Sequence, residues 1–285
     1  MIELKKIQYN GFKDALEITN NIVRLVVAVD AGPRVLFYGF VNGQNFFHNF
    51  AHETGPIDDN KWHSYGGHRL WYAPETAQRT YYPDNVPVAW SWENNRLILD
   101  CPDETSRWIG KKIVIALEEN SSRVTIEHTL SNIGLWPLEV SIWCISVMAA
   151  GGRLKVPQAD YVPHGGGPGE TFQPARSVTL WPFTRMDDQR IGWGRDFLTI
   201  QQDDAAAGKL KIGMLNEKGY VLYELNNETF RKEFDCIPGK VYPDMNCNCE
   251  FYTEPGFLEI ESLSPMTRLA EGEAFSHTEC WSLSR

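Results

Sequence analysis

Apolar and polar residues alternate with a period of two along most of this chain. In residues 123–130, Val124, Ile126, His128 and Leu130 face one way, and Arg123, Thr125, Glu127 and Thr129 face the other. That alternation predicts a half-buried strand. Residues 21–29 are rich in Val, Ile and Leu, and Arg34–Phe40 follows the turn Asp30-Ala31-Gly32-Pro33, which predicts a hairpin. After a turn at Ser131-Asn132-Ile133-Gly134, residues 138–148 predict a long strand. One face of it carries Leu138, Val140, Ile142 and Cys144; the other carries Glu139, Ser141, Trp143 and Ile145. Residues 209–215, 219–224 and 250–263 add further strands. Sustained helical periodicity is scarce, and turn signals recur as they do in sandwiches and barrels. An all-β fold in one domain spanning the chain is expected.

Two stretches break the pattern. Residues 48–71 are polar and His-rich, and residues 150–194 are rich in Gly, Pro and Trp. Both are too aromatic for disorder, so they are expected to wall a cleft.

Composition narrows the function. The chain has 285 residues, net charge −10, 42% hydrophobic and 12% aromatic residues. An acidic surface repels phosphate backbones, which argues against nucleic-acid binding. No run of 18 apolar residues is present, so no membrane helix is expected. The start, Met1-Ile2-Glu3-Leu4-Lys5-Lys6, lacks a signal-peptide hydrophobic region, and six scattered cysteines read as reduced thiols, giving an expectation of a cytoplasmic protein. No cofactor is implied.

Candidate chemistry gathers in a few segments. Gly66-Gly67-His68-Arg69-Leu70-Trp71-Tyr72-Ala73-Pro74-Glu75 packs a fixed cation, aromatic rings and a carboxylate together. Arg offers a planar fork of donors to oxygens, and aromatic faces suit the C–H side of a sugar ring. The same residues also read as a turn leading into a strand. On the strand Leu258-Glu259-Ile260-Glu261, the two carboxylates share a face about 6.6 Å apart. Each raises the other's pKa unless a cation intervenes, which suits acid–base work. The alternative is a solvated pair on an exposed face. Glu250 and Tyr252 share a face on the preceding run, and Asp244 sits in a turn where it either meets a ligand or bonds its own backbone. Trp181-Pro182-Phe183-Thr184 leads to Arg185, Asp187, Asp188 and Arg190, either a grip on an acidic sugar or a surface ion-pair network. His48 and His52 have metal-ligand spacing but no companion motif, so no metal site is assigned. His128 reads as a core residue. His164 precedes Gly165-Gly166-Gly167, which lacks the Lys-Ser/Thr pair of a phosphate loop, and no Gly-x-Ser-x-Gly elbow is present.

Taken together, segments 66–75, 181–190, Lys218-Gly219, Tyr242-Pro243-Asp244, 258–265 and Glu279-Cys280-Trp281 resemble the galactose mutarotase-like superfamily, the aldose 1-epimerase relatives, and more narrowly an uncharacterised-domain family within it. The resemblance spans about residue 20 to the end. It implies a β-supersandwich of two large twisted antiparallel sheets with a sugar cleft on the concave face. In aldose epimerases a carboxylate removes the anomeric hydroxyl proton while a histidine protonates the ring oxygen. By position, Glu261 corresponds to that carboxylate and Arg69 to the substrate-binding arginine. The chain departs from the pattern at the histidine: Ser141-Ile142-Trp143-Cys144 holds none, and Trp143 takes that region. His68 or His164 then becomes the candidate acid. Trp71, Glu75, Trp143, Trp181, Arg190, Asp244, Glu250 and Glu259 complete the expected substrate-binding set. The expected partner is a small sugar, with acidic or phosphorylated sugars favoured if Arg69, Arg185 and Arg190 converge. An epimerase is the leading reading, a non-catalytic sugar-binding protein the alternative, and a lyase or glycosidase a weaker third.

Overall fold

The computed structural model describes residues 1–165 and 174–285. Its strands, in chain order, begin with β1 (Glu3–Tyr9), β2 (Phe12–Thr19), β3 (Val23–Ala28), β4 (Arg34–Phe40), β5 (His68–Ala73), β6 (Ala89–Glu93) and β7 (Arg96–Asp100). There follow β8 (Ile109–Leu117), β9 (Val124–Asn132), β10 (Leu138–Ala149), β11 (Arg153–Pro157), β12 (Val178–Leu180), β13 (Ile191–Trp193) and β14 (Phe197–Gln201). The last are β15 (Leu210–Met214), β16 (Tyr220–Leu225), β17 (Glu228–Phe234), β18 (Cys249–Glu254), β19 (Phe257–Leu263), β20 (Thr267–Leu269) and β21 (Ala274–Ser284).

These strands form two large antiparallel sheets, so the protein is an all-β sandwich. The first runs β1-β2-β3-β4-β5-β10-β19-β18-β15-β12, with β20 paired to β10; the second runs β13-β14-β11-β16-β17-β21-β9-β8-β7-β6. Between them lies the main core. The first sheet contributes Leu70, Tyr72, Val140, Ile142, Cys144, Ile212, Phe251, Leu258 and Ile260, and the second contributes Ile113, Ile126, Leu130, Val221, Phe230 and Trp281. Alternation explains the choice: in β9 the predicted apolar face, Val124, Ile126, His128 and Leu130, is fully buried.

The β3–β4 hairpin forms where expected, and Gly32 at its turn takes φ +115°, a backbone conformation that a Cβ would strain. Residues 250–263 form two strands, β18 and β19, paired to each other across a turn in which Gly256 has φ +100°. The break lies at Pro255-Gly256, residues that end a strand. The stretch 48–71 is irregular only in part, since its end enters β5, a strand buried on both faces. The stretch 150–194 contains β11, β12 and β13, and some of it, including part of the glycine run after His164, lies outside the described residues.

No helix is long and apolar enough to cross a membrane among the described residues.

Candidate functional site

The outer face of the first sheet carries the candidate site. Registry aligns three rows of residues across its central strands. Trp71, Trp143 and Leu263 form one row; Arg69, Ile145, Glu261, Glu250 and Gly213 form the next; Val147, Glu259, Tyr252 and Lys211 form the third. Residues alternating with these point into the core, so each cleft side chain owes its direction to strand parity.

Loops raise walls around this floor. Phe50, Trp62 and Ser64 come from the segment before β5, Glu75 and Tyr81 from the segment after it, and Trp181 and Phe183 from the segment after β12. The resulting cleft is about 390 Å³. Its lining mixes aromatic rings with a few charges, as small-molecule sites do.

At the centre is Lys211. Its Nζ lies 4.8 Å from the Trp143 ring centre and 4.6 Å from that of Trp181, held between two aromatic faces. It donates to Glu261 Oε2 at 3.2 Å and lies 2.7 Å from Glu250 Oε2. Burial disfavours the ammonium, but Glu261 and Glu250 overcome that and raise the Lys211 pKa. Glu261 Oε2 also accepts from Trp143 Nε1 at 2.8 Å. Glu250 is fully buried. Its contact with Lys211 is an ion pair whose direction does not make a hydrogen bond, and neither of its carboxylate oxygens has a hydrogen-bond partner among the described residues. Burial raises its carboxyl pKa well above the usual range, with Lys211 opposing.

Gly213 makes room for this arrangement. A Cβ there would come within 2.7 Å of Cys247 Sγ and 3.2 Å of Trp181 Cζ3, so the bare backbone lets the Trp181 ring reach Lys211.

The other end of the cleft centres on Arg69. Its guanidinium lies 4.4 Å from the Trp71 ring centre and 5.5 Å from that of Trp62. Its Nη2 donates to Glu259 Oε1 at 3.1 Å. Burial raises the Glu259 carboxyl pKa; Arg69 opposes the rise and Glu261 adds to it. Tyr81 donates its hydroxyl to Glu75 at 2.5 Å, and its ring packs on both Trp62 and Trp71.

The structure thus brings together Arg69, Trp71, Glu75, Trp143, Trp181, Glu259 and Glu261, with Glu250 beneath Lys211. Four candidates lie elsewhere. His68 precedes Arg69 on β5 and so points the opposite way, into the core, where its Nε2 meets His128 Nε2 at 2.8 Å and its Nδ1 meets Ser146 Oγ at 2.9 Å. It is no cleft acid. His164 is exposed and does not line the cleft. Arg190 is buried against Asp188, with Nη2 to Oδ2 at 2.7 Å, while Arg185 pairs with Asp187 on the surface. The three arginines therefore do not converge. Asp244 is exposed in a turn where Asp244, Met245 and Asn246 all have positive φ, and it stands outside the cleft lining.

The residue that sequence reasoning missed is Lys211. In isolation it is one polar position in a short apolar strand, and only the neighbouring of β15 and β18 sets it beside two carboxylates. The lone signal was the flanking pattern Leu210-Lys211-Ile212, a charge between two core residues.

Two other features compete for attention. A cavity of about 230 Å³ is lined by Arg34, Asp84, Cys101, Glu104 and Lys111, but its charges are already matched, Arg34 with Asp84 and Lys111 with Glu104. Between the sheets, His68, His128, His277, Glu279, Lys232, Ser146 and Ser262 form a buried polar network. His128 Nδ1 donates to the His277 carbonyl at 3.3 Å, which leaves His128 Nε2 to accept from His68. Lys232 Nζ lies 2.7 Å from Glu279 Oε1, and Ser262 and Trp281 also donate to that carboxylate. The donor groups have metal-ligand spacing, yet Lys232 already supplies the positive charge there and hydrogen bonds join the groups directly.

No protein-family model matches the sequence, and no curated protein matches it. Solved structures match along nearly the whole chain. A galactose mutarotase-like protein from Lactobacillus casei has TM-score 0.60 at 10% identity, covering 95% of this chain and 100% of its own. One from Clostridium acetobutylicum has TM-score 0.57 at 9% identity, covering 100% and 99%. A galactose mutarotase related enzyme from Lactobacillus acidophilus has TM-score 0.53 at 10% identity, covering 95% and 97%. At such identities the likeness concerns architecture: this chain has the galactose mutarotase-like fold.

Proposed function

We propose that the cleft binds a sugar and interconverts its anomers, as an aldose 1-epimerase does. The observation that carries this reading is the pair Glu259 and Glu261, side by side on an aromatic-walled floor but in unlike surroundings. Glu261 accepts hydrogen bonds from Lys211 and Trp143 and serves as base. Glu259, with its carboxyl pKa raised by burial, serves as acid in place of the missing histidine.

The chemistry needs only protons. Glu261 takes the proton from the anomeric hydroxyl. The electron pair forms the C1 carbonyl, the C1–ring-oxygen bond breaks, and Glu259 gives its proton to the ring oxygen. Rotation about C1–C2 and the reverse transfers close the ring on the other face and restore both carboxyls. Trp71, Trp143 and Trp181 offer rings to the sugar's C–H faces, and Arg69 holds its oxygens.

Magnetisation-exchange NMR of anomeric protons tests this. Faster α/β exchange is expected for one sugar class, and Glu261→Gln should lower the rate about 10²–10⁴-fold with binding largely kept. Exchange that persists in that variant would remove Glu261 as base.

A second reading is a sugar-binding protein without turnover. It is favoured by Glu261 Oε2 already being engaged by two donors in a side chain 1% exposed. Binding without exchange for any sugar would select it.

A further inference from the structure

The Arg69 end of the cleft has donors that no protein group satisfies. Arg69 is 3% exposed, and its Nε and Nη1 have no hydrogen-bond partner among the described residues. The indole Nε1 of Trp62, whose ring lies 4.9 Å from that of Trp71, has none either. Buried donors are normally paired, and leaving one unmade costs about 1–3 kcal/mol. Three in one place, all on residues that line the cleft, mark a position where acceptor atoms are wanted.

We propose that this end of the cleft receives the carboxylate of an acidic sugar. The proposal rests on the reading of the cleft as a sugar site and names its substrate class. Arg and Trp side chains can only donate, so a group that only accepts matches them without leaving a hydrogen of its own unpaired. The rings of Trp62 and Trp71, whose centres are 4.9 Å apart, both lie on one side of the guanidinium and shield it from water. A carboxylate is planar and singly charged. A phosphate is tetrahedral and carries about −1.5 to −2 charge, while this end has one buried cation to offer.

The surrounding charges agree. Arg69 has one carboxylate partner, Glu259, and it uses only Nη2 for that contact. Burial favours the neutral form of Glu259, which leaves the guanidinium charge to a ligand. Glu75 is the like charge on this side, and the Tyr81 hydroxyl donates to one of its oxygens. The donors are screened from bulk water, so the Trp62 indole must shift as the carboxylate enters. Trp62 is set in the irregular segment before β5, outside either sheet, where such a shift disturbs no strand.

The test compares glucose, glucuronate and glucose 6-phosphate, with the corresponding galactose series, by titration of tryptophan fluorescence. Trp62, Trp71, Trp143 and Trp181 all line the cleft and report occupancy. Glucuronate or galacturonate is expected to bind about tenfold or more tightly than its neutral parent and its phosphate, the size of one charge-assisted contact. Arg69→Gln should abolish that preference, and Trp62→Phe, which removes the indole donor and keeps a smaller aromatic ring, should narrow it. Equal affinity for neutral and acidic sugars, a preference for the phosphate, or an acidic preference that survives both variants overturns the proposal while the sugar cleft stands. Absence of binding by every sugar overturns the sugar cleft itself, and this inference with it.

Discussion

At the scale of single residues, the cleft is organised by cations set among acids. Lys211 is the clearest case, because removing it strands Glu250 and Glu261 in a dry interior. Lys211→Met should destabilise the protein by about 3–5 kcal/mol, read as a lowered urea midpoint. A loss below about 1 kcal/mol would mean that Glu250 gives up its charge at little cost. Glu259 has a different consequence. As the proposed acid it must hold its proton, so anomeric exchange is expected to fall as pH rises through its elevated pKa. In Glu259→Gln that alkaline decline should vanish from the residual activity; a decline that remains belongs to another group. Strand parity made Glu259 and Glu261 legible in the sequence, since Leu258 and Ile260 so plainly face a core. His68 and Arg69 were not separable that way. β5 is buried on both faces, and alternation cannot say which face is cleft.

At the scale of elements, β5, β10, β19, β18 and β15 supply the floor, and their order is what chain reading could not provide. The pairing of β5 with β10 joins residues some seventy positions apart, as Trp71 opposite Trp143 illustrates. Hydrophobic pattern identifies strands without ordering them. Gly213 in β15 ties strand to function. Gly213→Ala should push Trp181 off Lys211, costing about 1–3 kcal/mol of stability and weakening sugar binding more than the same change at an exposed strand glycine. Unaltered Trp fluorescence and affinity in that variant would show that Cys247 alone yields. The aromatic walls were legible as cleft-forming stretches, but their membership was not. Trp62 and Tyr81 enter the cleft, while Arg190 and Asp244 stay out, because loop direction depends on local ion pairs and backbone turns.

At the scale of the whole molecule, the two sheets meet through a polar network as well as an apolar core. Burial depresses the imidazole pKa of all three histidines, His128 to about 3, His277 to about 4 and His68 well below its usual value. Between those values and about 6.5 the unfolded chain holds protons that the folded one lacks, so stability should drop as pH falls. Glu250 and Glu259 pull the other way above pH 4.5, because their folded values are raised. The drop is therefore expected to steepen below that point. Urea midpoints followed across pH should show a flatter acid limb in His128→Asn, by about 1.4 kcal/mol per pH unit for one proton. A slope identical to that of the unaltered protein would place the acid sensitivity elsewhere.

The network also acts as a keying pin. His68 and Arg69 are consecutive on β5, one facing Lys232 and Glu279 across the sandwich, the other facing the cleft. A slip of β5 by one residue would exchange them, driving a guanidinium towards a buried ammonium and taking from Glu259 the hydrogen bond that Arg69 donates. An apolar core tolerates such a shift far better, since one hydrophobic side chain replaces another. The buried network thereby fixes which side chain of β5 faces the cleft.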